Sequence, residues 1–164
     1  MKIQVKQLSK DGQVPVKAHK TDAGFDLFAA EDILILPGER FTLKTGIAID
    51  VPNGWEAEIR GRSGLNGKTG LHIANGTVDA GYRGEILVIV KNTNLAFNQS
   101  IVDVSSKQEL NENASNYQAA YTIKKGSRIA QVLFHVVPDI ELELVEEFTD
   151  TTERGSNGFG STGI

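Results

Sequence analysis

Asp79 stands three residues before Tyr82 in the run Asn75–Glu85, NGTVDAGYRGE. A positioned carboxylate can take a proton from water, and a nearby ring offers a flat platform for a sugar. The Asn-Gly pair at 75–76 predicts a tight hairpin. The backbone N–H and C=O groups at its tip would pair with the edge of a planar base. By itself the segment also reads as an ordinary turn with a solvated carboxylate.

Four other short segments carry usable chemistry. Gly61-Arg62-Ser63-Gly64-Leu65 combines glycines, which let a ligand approach the backbone, with donors suited to phosphate oxygens. It is not a Walker loop, because the G-x-x-x-x-G-K-[ST] order is absent. Gly126–Gln131 (GSRIAQ) enters a strand and offers Arg128 and Gln131. Thr21–Leu27 (TDAGFDL) places Asp22 and Asp26 around an Ala-Gly pair; one such carboxylate suffices to touch a hydrated Mg²⁺. The plainer role of Asp22 is to cap a turn before a strand. The tail Arg154–Gly163 (RGSNGFGSTG) sets one aromatic, Phe159, among small residues and donors. As a lid, Arg154 and the Ser161/Thr162 region would clamp phosphate while Phe159 stacks on a base.

These segments need a scaffold, and most of the chain reads as short strands. Ile3–Leu8 and Trp55–Arg60 alternate with period two. Ile33–Leu36 ends at Pro37-Gly38, and Thr42–Val51 ends at Pro52-Asn53-Gly54. Glu85–Val90 and Ile129–Val137 are continuous apolar runs that suit strands buried on both faces. Thr69–Ile73 and Lys107–Ala114 are the best places for a short helix. Many strands with frequent glycine turns predict an all-β barrel or sandwich of jelly-roll type. Residues 1–148 form the predicted barrel domain, and 149–164 a flexible C-terminal lid. Within the barrel, 92–121 is rich in Asn, Ser and Gln and reads as a surface insertion. Pro138 precedes an alternating strand, Ile140–Phe148, and reads as a hinge that lets this strand join a neighbouring subunit.

Composition narrows the options. The chain has 164 residues, enough for one domain with a real core. It has no cysteine, which removes disulfides, thiolate zinc sites and cysteine nucleophiles. Its net charge of -4 argues against broad binding to nucleic acid. His19, His72 and His135 are too scattered for a metal motif. The N-terminus lacks the apolar stretch of a signal peptide, and no apolar run could span a membrane. A cytoplasmic protein is expected.

Taken in order, the five segments resemble the five motifs of the trimeric deoxyuridine triphosphatases (dUTPases). Asp22–Leu27 looks like the first, Gly61–Leu65 the second, Gly76–Glu85 the third, Gly126–Gln131 the fourth and Arg154–Gly163 the fifth. The resemblance spans nearly the whole chain. It implies a jelly-roll homotrimer with three sites, each drawing on three subunits and closed by an exchanged C-terminal arm. It implies hydrolysis of dUTP to dUMP and pyrophosphate with Mg²⁺, with Asp79 holding the deoxyribose 3′-hydroxyl and orienting or deprotonating the water. Tyr82 would pack under the sugar, and the backbone of Gly76, Thr77 and Val78 would pair with uracil. Arg62, Ser63 and Gly64, with Gln131 beside them, would grip the phosphates. Asp22 would contact hydrated Mg²⁺. Phe159 would stack on uracil, Arg154 would meet the γ-phosphate, and Gly160, Ser161 and Thr162 would complete the lid.

Two departures stand out. Gly61 replaces the proline common before the second motif's arginine, which predicts a looser turn. The 92–121 segment is similar to the extra segment of some dUTPases from phages of Gram-positive bacteria, which implies a site for a repressor-like protein partner. The rivals are a dCTP deaminase on the same fold, disfavoured by the FGSTG ending, and a regulatory binding protein.

Overall fold

The computed structural model describes residues 1–95, 101–104, 120–152 and 155–156. Among these are twelve strands and one short helix. In chain order they are β1 (Gln4–Gln7), β2 (Phe25–Phe28), β3 (Ile33–Ile35), β4 (Arg40–Lys44), β5 (Ile47–Asp50) and β6 (Trp55–Gly61). Then come α1 (Ser63–Lys68), β7 (Leu71–Ile73), β8 (Gly76–Val78), β9 (Leu87–Asn92), β10 (Ile101–Asp103), β11 (Ala120–Ile123) and β12 (Arg128–Val136). The fold is all-β and jelly-roll-like, as the strand-and-turn pattern predicts.

The strands form four small sheets, ordered β1-β5, β10-β11-β3, β2-β12-β6-β8 and β4-β9-β7. Their inner faces share one core that includes Leu27, Ile35, Leu43, Ile49, Ile59, Leu71, Val88, Ile123 and Val132, all almost without solvent contact. Each such side chain contributes roughly 1.5–3 kcal/mol by leaving water.

Several local expectations are corrected. Asn75-Gly76 is not a hairpin tip: β7 pairs with β9 and β8 with β6, so the pair links strands of different sheets. Thr69–Ile73 is not helical. Its Leu71-His72-Ile73 alternates buried, exposed, buried as β7, and the helix lies just upstream, where two glycines hide it from propensity. Thr42–Val51 is divided at Gly46, whose φ of +69° turns the chain between β4 and β5. The run Glu85–Val90 is not buried on both faces, because Leu87 and Ile89 point outward while Val88 and Val90 enter the core. The strand expected at Ile140–Phe148, for a neighbouring subunit's sheet, has no pairing partner among the described residues, and Ile140, Leu142, Leu144 and Phe148 are exposed. The helix expected at Lys107–Ala114 lies outside the described residues.

The ends of the 92–121 segment are built into the body. β10 pairs in parallel with β11, and Asn92, Asn94 and Tyr121 are buried. The Gly70 N–H donates to the Tyr121 hydroxyl at 2.8 Å, and the Gly70 carbonyl accepts from the Thr93 backbone N–H and hydroxyl, each at 2.8 Å. Both polar groups of the residue behind α1 are thus held by the two stems of this segment. Tyr121→Phe leaves the buried Gly70 N–H short of that acceptor and is expected to cost about 1–3 kcal/mol. A lowered urea midpoint at fixed protein concentration, with unchanged slope, is the check.

Candidate active site

The sheet ordered β2-β12-β6-β8 carries four of the five motifs, one per strand. Asp26 on β2 stands opposite Gln131 on β12, and Gln131 stands opposite Arg60 on β6. Paired residues face the same side, so Asp26 and Gln131 share the outer surface. Just beyond β6, the Arg62 Nε lies 2.8 Å from Asp26 Oδ1, and its Nη1 donates to the Arg128 carbonyl at 3.0 Å. Arg128 Nη1 meets the other Asp26 oxygen at 3.2 Å. Gln131 Nε2 donates to the Gly61 carbonyl at 3.2 Å. Gly24 lies against the Gln131 side chain, where a Cβ would come 2.6 Å from its Oε1. The first, second and fourth motifs therefore meet at one end of the sheet, and the Asp26 carboxylate fixes both arginines there. Ser63 and Gly64 open α1 beside them and are exposed.

Asp22 and Asp26 part company. Asp22 Oδ2 accepts the His19 backbone N–H at 2.8 Å, closing a turn. Asp26, whose carboxylate is mostly shielded, stands among the arginines instead. The signal for Asp26 was present in the alternation of Phe25–Phe28, which turns Asp26 away from the buried Leu27.

The third motif builds a different feature. The Tyr82 N–H donates to the Asp79 carbonyl at 3.2 Å, and Gly81 has φ +87°. Asp79 and Tyr82 are thus the first and last residues of one β-turn with the positive φ of type II at its third position. That turn explains their spacing. It borders a cleft of about 220 Å³ lined by Thr77, Val78, Asp79, Tyr82, Glu85, Ile86 and Leu87. Arg83 ties the turn to β5 through Asp50 at 2.6 Å. Gly76, Thr77 and Val78 form β8 at the sheet edge, so part of their backbone is unpaired and available to a ligand. On the surface between, the Arg60 guanidinium, 2.7 Å from Glu58, holds that carboxyl below the ordinary glutamate range, although some desolvation opposes it.

The two halves do not meet within one chain. Val78 pairs with Ala57 at one end of β6, and Arg62 follows the other end. Five residues of extended chain separate Ala57 from Arg62, about 17 Å. Arg154, Phe159, Gly160, Ser161 and Thr162 lie outside the described residues.

The sheet thus gathers two arginines around one carboxylate at one end and a carboxylate–tyrosine turn at the other, a layout of an all-β protein with charged and aromatic groups at both ends. Comparison gives the family. The dUTPase family profile matches residues 10–163. A deoxyuridine 5′-triphosphate nucleotidohydrolase of Nautilia profundicola is 41% identical, with 99% of each chain covered. Its namesake from Clostridium tetani is 38% identical over 98% of this chain and 96% of its own. The solved dUTPase of Staphylococcus bacteriophage 80alpha with dUPNHPP is 37% identical, with a TM-score of 0.89 and 99% of each chain covered. The dUTPase from phage phi11 of S. aureus, solved to visualise its species-specific insert, is 35% identical with a TM-score of 0.81, covering 91% of this chain and 99% of its own. The chain belongs to the dUTPase family, a family of dUTP diphosphatases.

Proposed function

We propose that this protein hydrolyses dUTP to dUMP and pyrophosphate in the cytoplasmic nucleotide pool, as a homotrimer. The observation that carries this reading is the Asp79–Tyr82 turn at the edge of its cleft, in a chain of this family. A water molecule attacks the α-phosphorus in line. Its proton passes to Asp79, the bond to the bridging oxygen breaks, and pyrophosphate leaves with that oxygen. Arg62, Ser63, Gly64 and Gln131 hold the phosphates and set the line of attack. Tyr82 packs against the sugar face where a ribose 2′-hydroxyl would sit. The unpaired backbone of Gly76–Val78 reads the uracil edge, and a wrong edge leaves groups unpaired. The tail supplies the lid, with Arg154 on the γ-phosphate, Phe159 on the base, and Gly160, Ser161 and Thr162 closing over the phosphates.

Three features support assembly with other copies. The phosphate-gripping end and Asp79 are too far apart in one chain to act on one phosphate. Leu34, Leu36, Phe41, Leu87 and Ile89 are exposed on β3, on β9 and around them, beyond what an isolated surface needs. The unpartnered 140–148 segment suits pairing with a neighbouring copy.

The donor set fits a hydrated Mg²⁺. No group of three His, Cys, Asp or Glu among the described residues could cage an ion. Asp26 offers carboxylate oxygens beside Arg62 and Arg128, and Asp22 lies four residues upstream at the turn that leads into β2, an arrangement that suits an ion carried by substrate and water. When bound, Mg²⁺ neutralises charge on the triphosphate.

A substrate panel of dUTP, dTTP, dCTP and UTP with Mg²⁺ tests the reading by pyrophosphate release. Strong preference for dUTP is expected; equal turnover of dCTP or none of dUTP rejects it.

A further inference from the structure

We infer that Glu85 is a positioning residue that sets the sugar selectivity of this site by fixing the Tyr82 ring. The inference rests on the reading of Tyr82 given above. Its basis is a set of contacts at the end of the Asp79–Glu85 loop. The Glu85 carboxylate accepts the N–H of Gly46 at 2.7 Å, from the turn between β4 and β5. The backbone carbonyl of the same residue accepts the Tyr82 hydroxyl at 3.0 Å. One residue thus joins a buried turn of the body to the hydroxyl end of an exposed ring.

The anchor on the Gly46 side is firm. Gly46 is buried with φ +69°, and its carbonyl accepts the Leu8 N–H at 2.8 Å. Next to it, the buried Thr45 hydroxyl donates to the Ile86 carbonyl at 2.5 Å, and the Ile86 N–H donates to Ile47 at 2.8 Å. Ile86 and the Gly46 turn are therefore held, and the Glu85 side chain carries that hold onto residue 85 itself. Tyr82 itself has 45% of its surface exposed and gains little fixity from packing. Its orientation depends on the hydroxyl contact and on Gly84. A Cβ at Gly84 would overlap the Tyr82 hydroxyl oxygen and the ring carbon that bears it. The ring folds back over a backbone with no side chain, and its tip is received by Glu85.

A ring that excludes one hydroxyl works only if it cannot swing away. Steric rejection of an added hydroxyl is worth about a hundredfold at best. Loosening the ring spends that discrimination on UTP without touching Asp79 or the phosphate donors.

The test compares kcat/KM for dUTP and UTP in the full-length protein with Glu85→Ala, Glu85→Gln and Gly84→Ala, alongside thermal midpoints. Glu85→Ala is expected to lower the dUTP-to-UTP ratio about tenfold. Glu85→Gln keeps an oxygen that accepts the Gly46 N–H and is expected to retain the ratio. Gly84→Ala displaces the ring without altering Glu85 and is expected to lower the ratio as Glu85→Ala does. Partial unfolding lowers both rates equally and leaves the ratio alone, so an unchanged ratio in Glu85→Ala overturns the inference, and Gly84→Ala shows what displacing the ring does. If Glu85→Ala does not fold, the shorter carboxylate of Glu85→Asp, which falls back from the Gly46 N–H, decides by the same ratio. An unaltered protein that fails to turn over dUTP rejects the functional reading itself, independently of the variants.

Discussion

Replacing Asp79 by Asn lowers kcat on dUTP by about a thousandfold, while binding of a non-hydrolysable dUTP analogue changes little. The asparagine matches the carboxylate in shape and can still meet a sugar hydroxyl. It cannot take a proton from water. Asp79 is exposed in the single chain and lines the small cleft beside Tyr82. Enclosure by substrate, lid and neighbouring copy would remove competing water and strengthen its action as a base. Rapid measurement of pyrophosphate release, with analogue binding by calorimetry, separates chemistry from affinity. A kcat near that of the unaltered protein would remove Asp79 from the mechanism.

A mixture of two inactive variants is expected to recover activity. Arg62→Ala removes the guanidinium that Asp26 orients, and Asp79→Asn removes the base. The sheet places these residues toward opposite ends of β6, with about 17 Å of strand between Arg62 and Ala57, the partner of Val78. A site that uses both must take them from different copies. In randomly co-assembled trimers, a site works when its phosphate donors come from an Asp79→Asn chain and its Asp79 from an Arg62→Ala chain. That holds for about a quarter of sites. Co-refolding equal amounts therefore yields roughly a quarter of normal turnover, against a few per cent or less for each variant alone. No recovery, with trimers formed, means that one chain supplies both residues.

The order of the motifs and the all-β character were legible in the residues; the way neighbours pair was not. Asn75-Gly76 carries the strongest local hairpin signal in the chain, yet its two strands pair elsewhere. Register across sheets is decided by partners distant in sequence. The true turn around Asp79 was marked only by Gly81. The helix after Arg62 holds two glycines in six residues, so no propensity argument finds it; its Gly70 end is held in place by Tyr121 and Thr93. Leu87 and Ile89 read as core because a continuous apolar run looks the same whether its outer face meets this chain or another copy. Asp22 was assigned to the metal by the resemblance alone, and the β2–β12–β6 register, together with the alternation of Phe25–Phe28, sets Asp26 on the face of the arginines.

Gly61 was expected to loosen the turn before Arg62, since a proline is common there in the family. In the structure it is held on three sides. It pairs with Ala130, its carbonyl receives Gln131, and a Cβ there would come 2.8 Å from Asn66 Oδ1 and nearer still to the amide nitrogen. The stiffness that a ring would have supplied from within the chain comes here from an amide laid across the backbone. Positions 61 and 66 have therefore become a matched pair. A proline restored at 61 meets an occupied space, and a small residue at 66 leaves the glycine without its cover. A larger residue at 61 is therefore expected to require the Asn66 amide to swing away from the backbone.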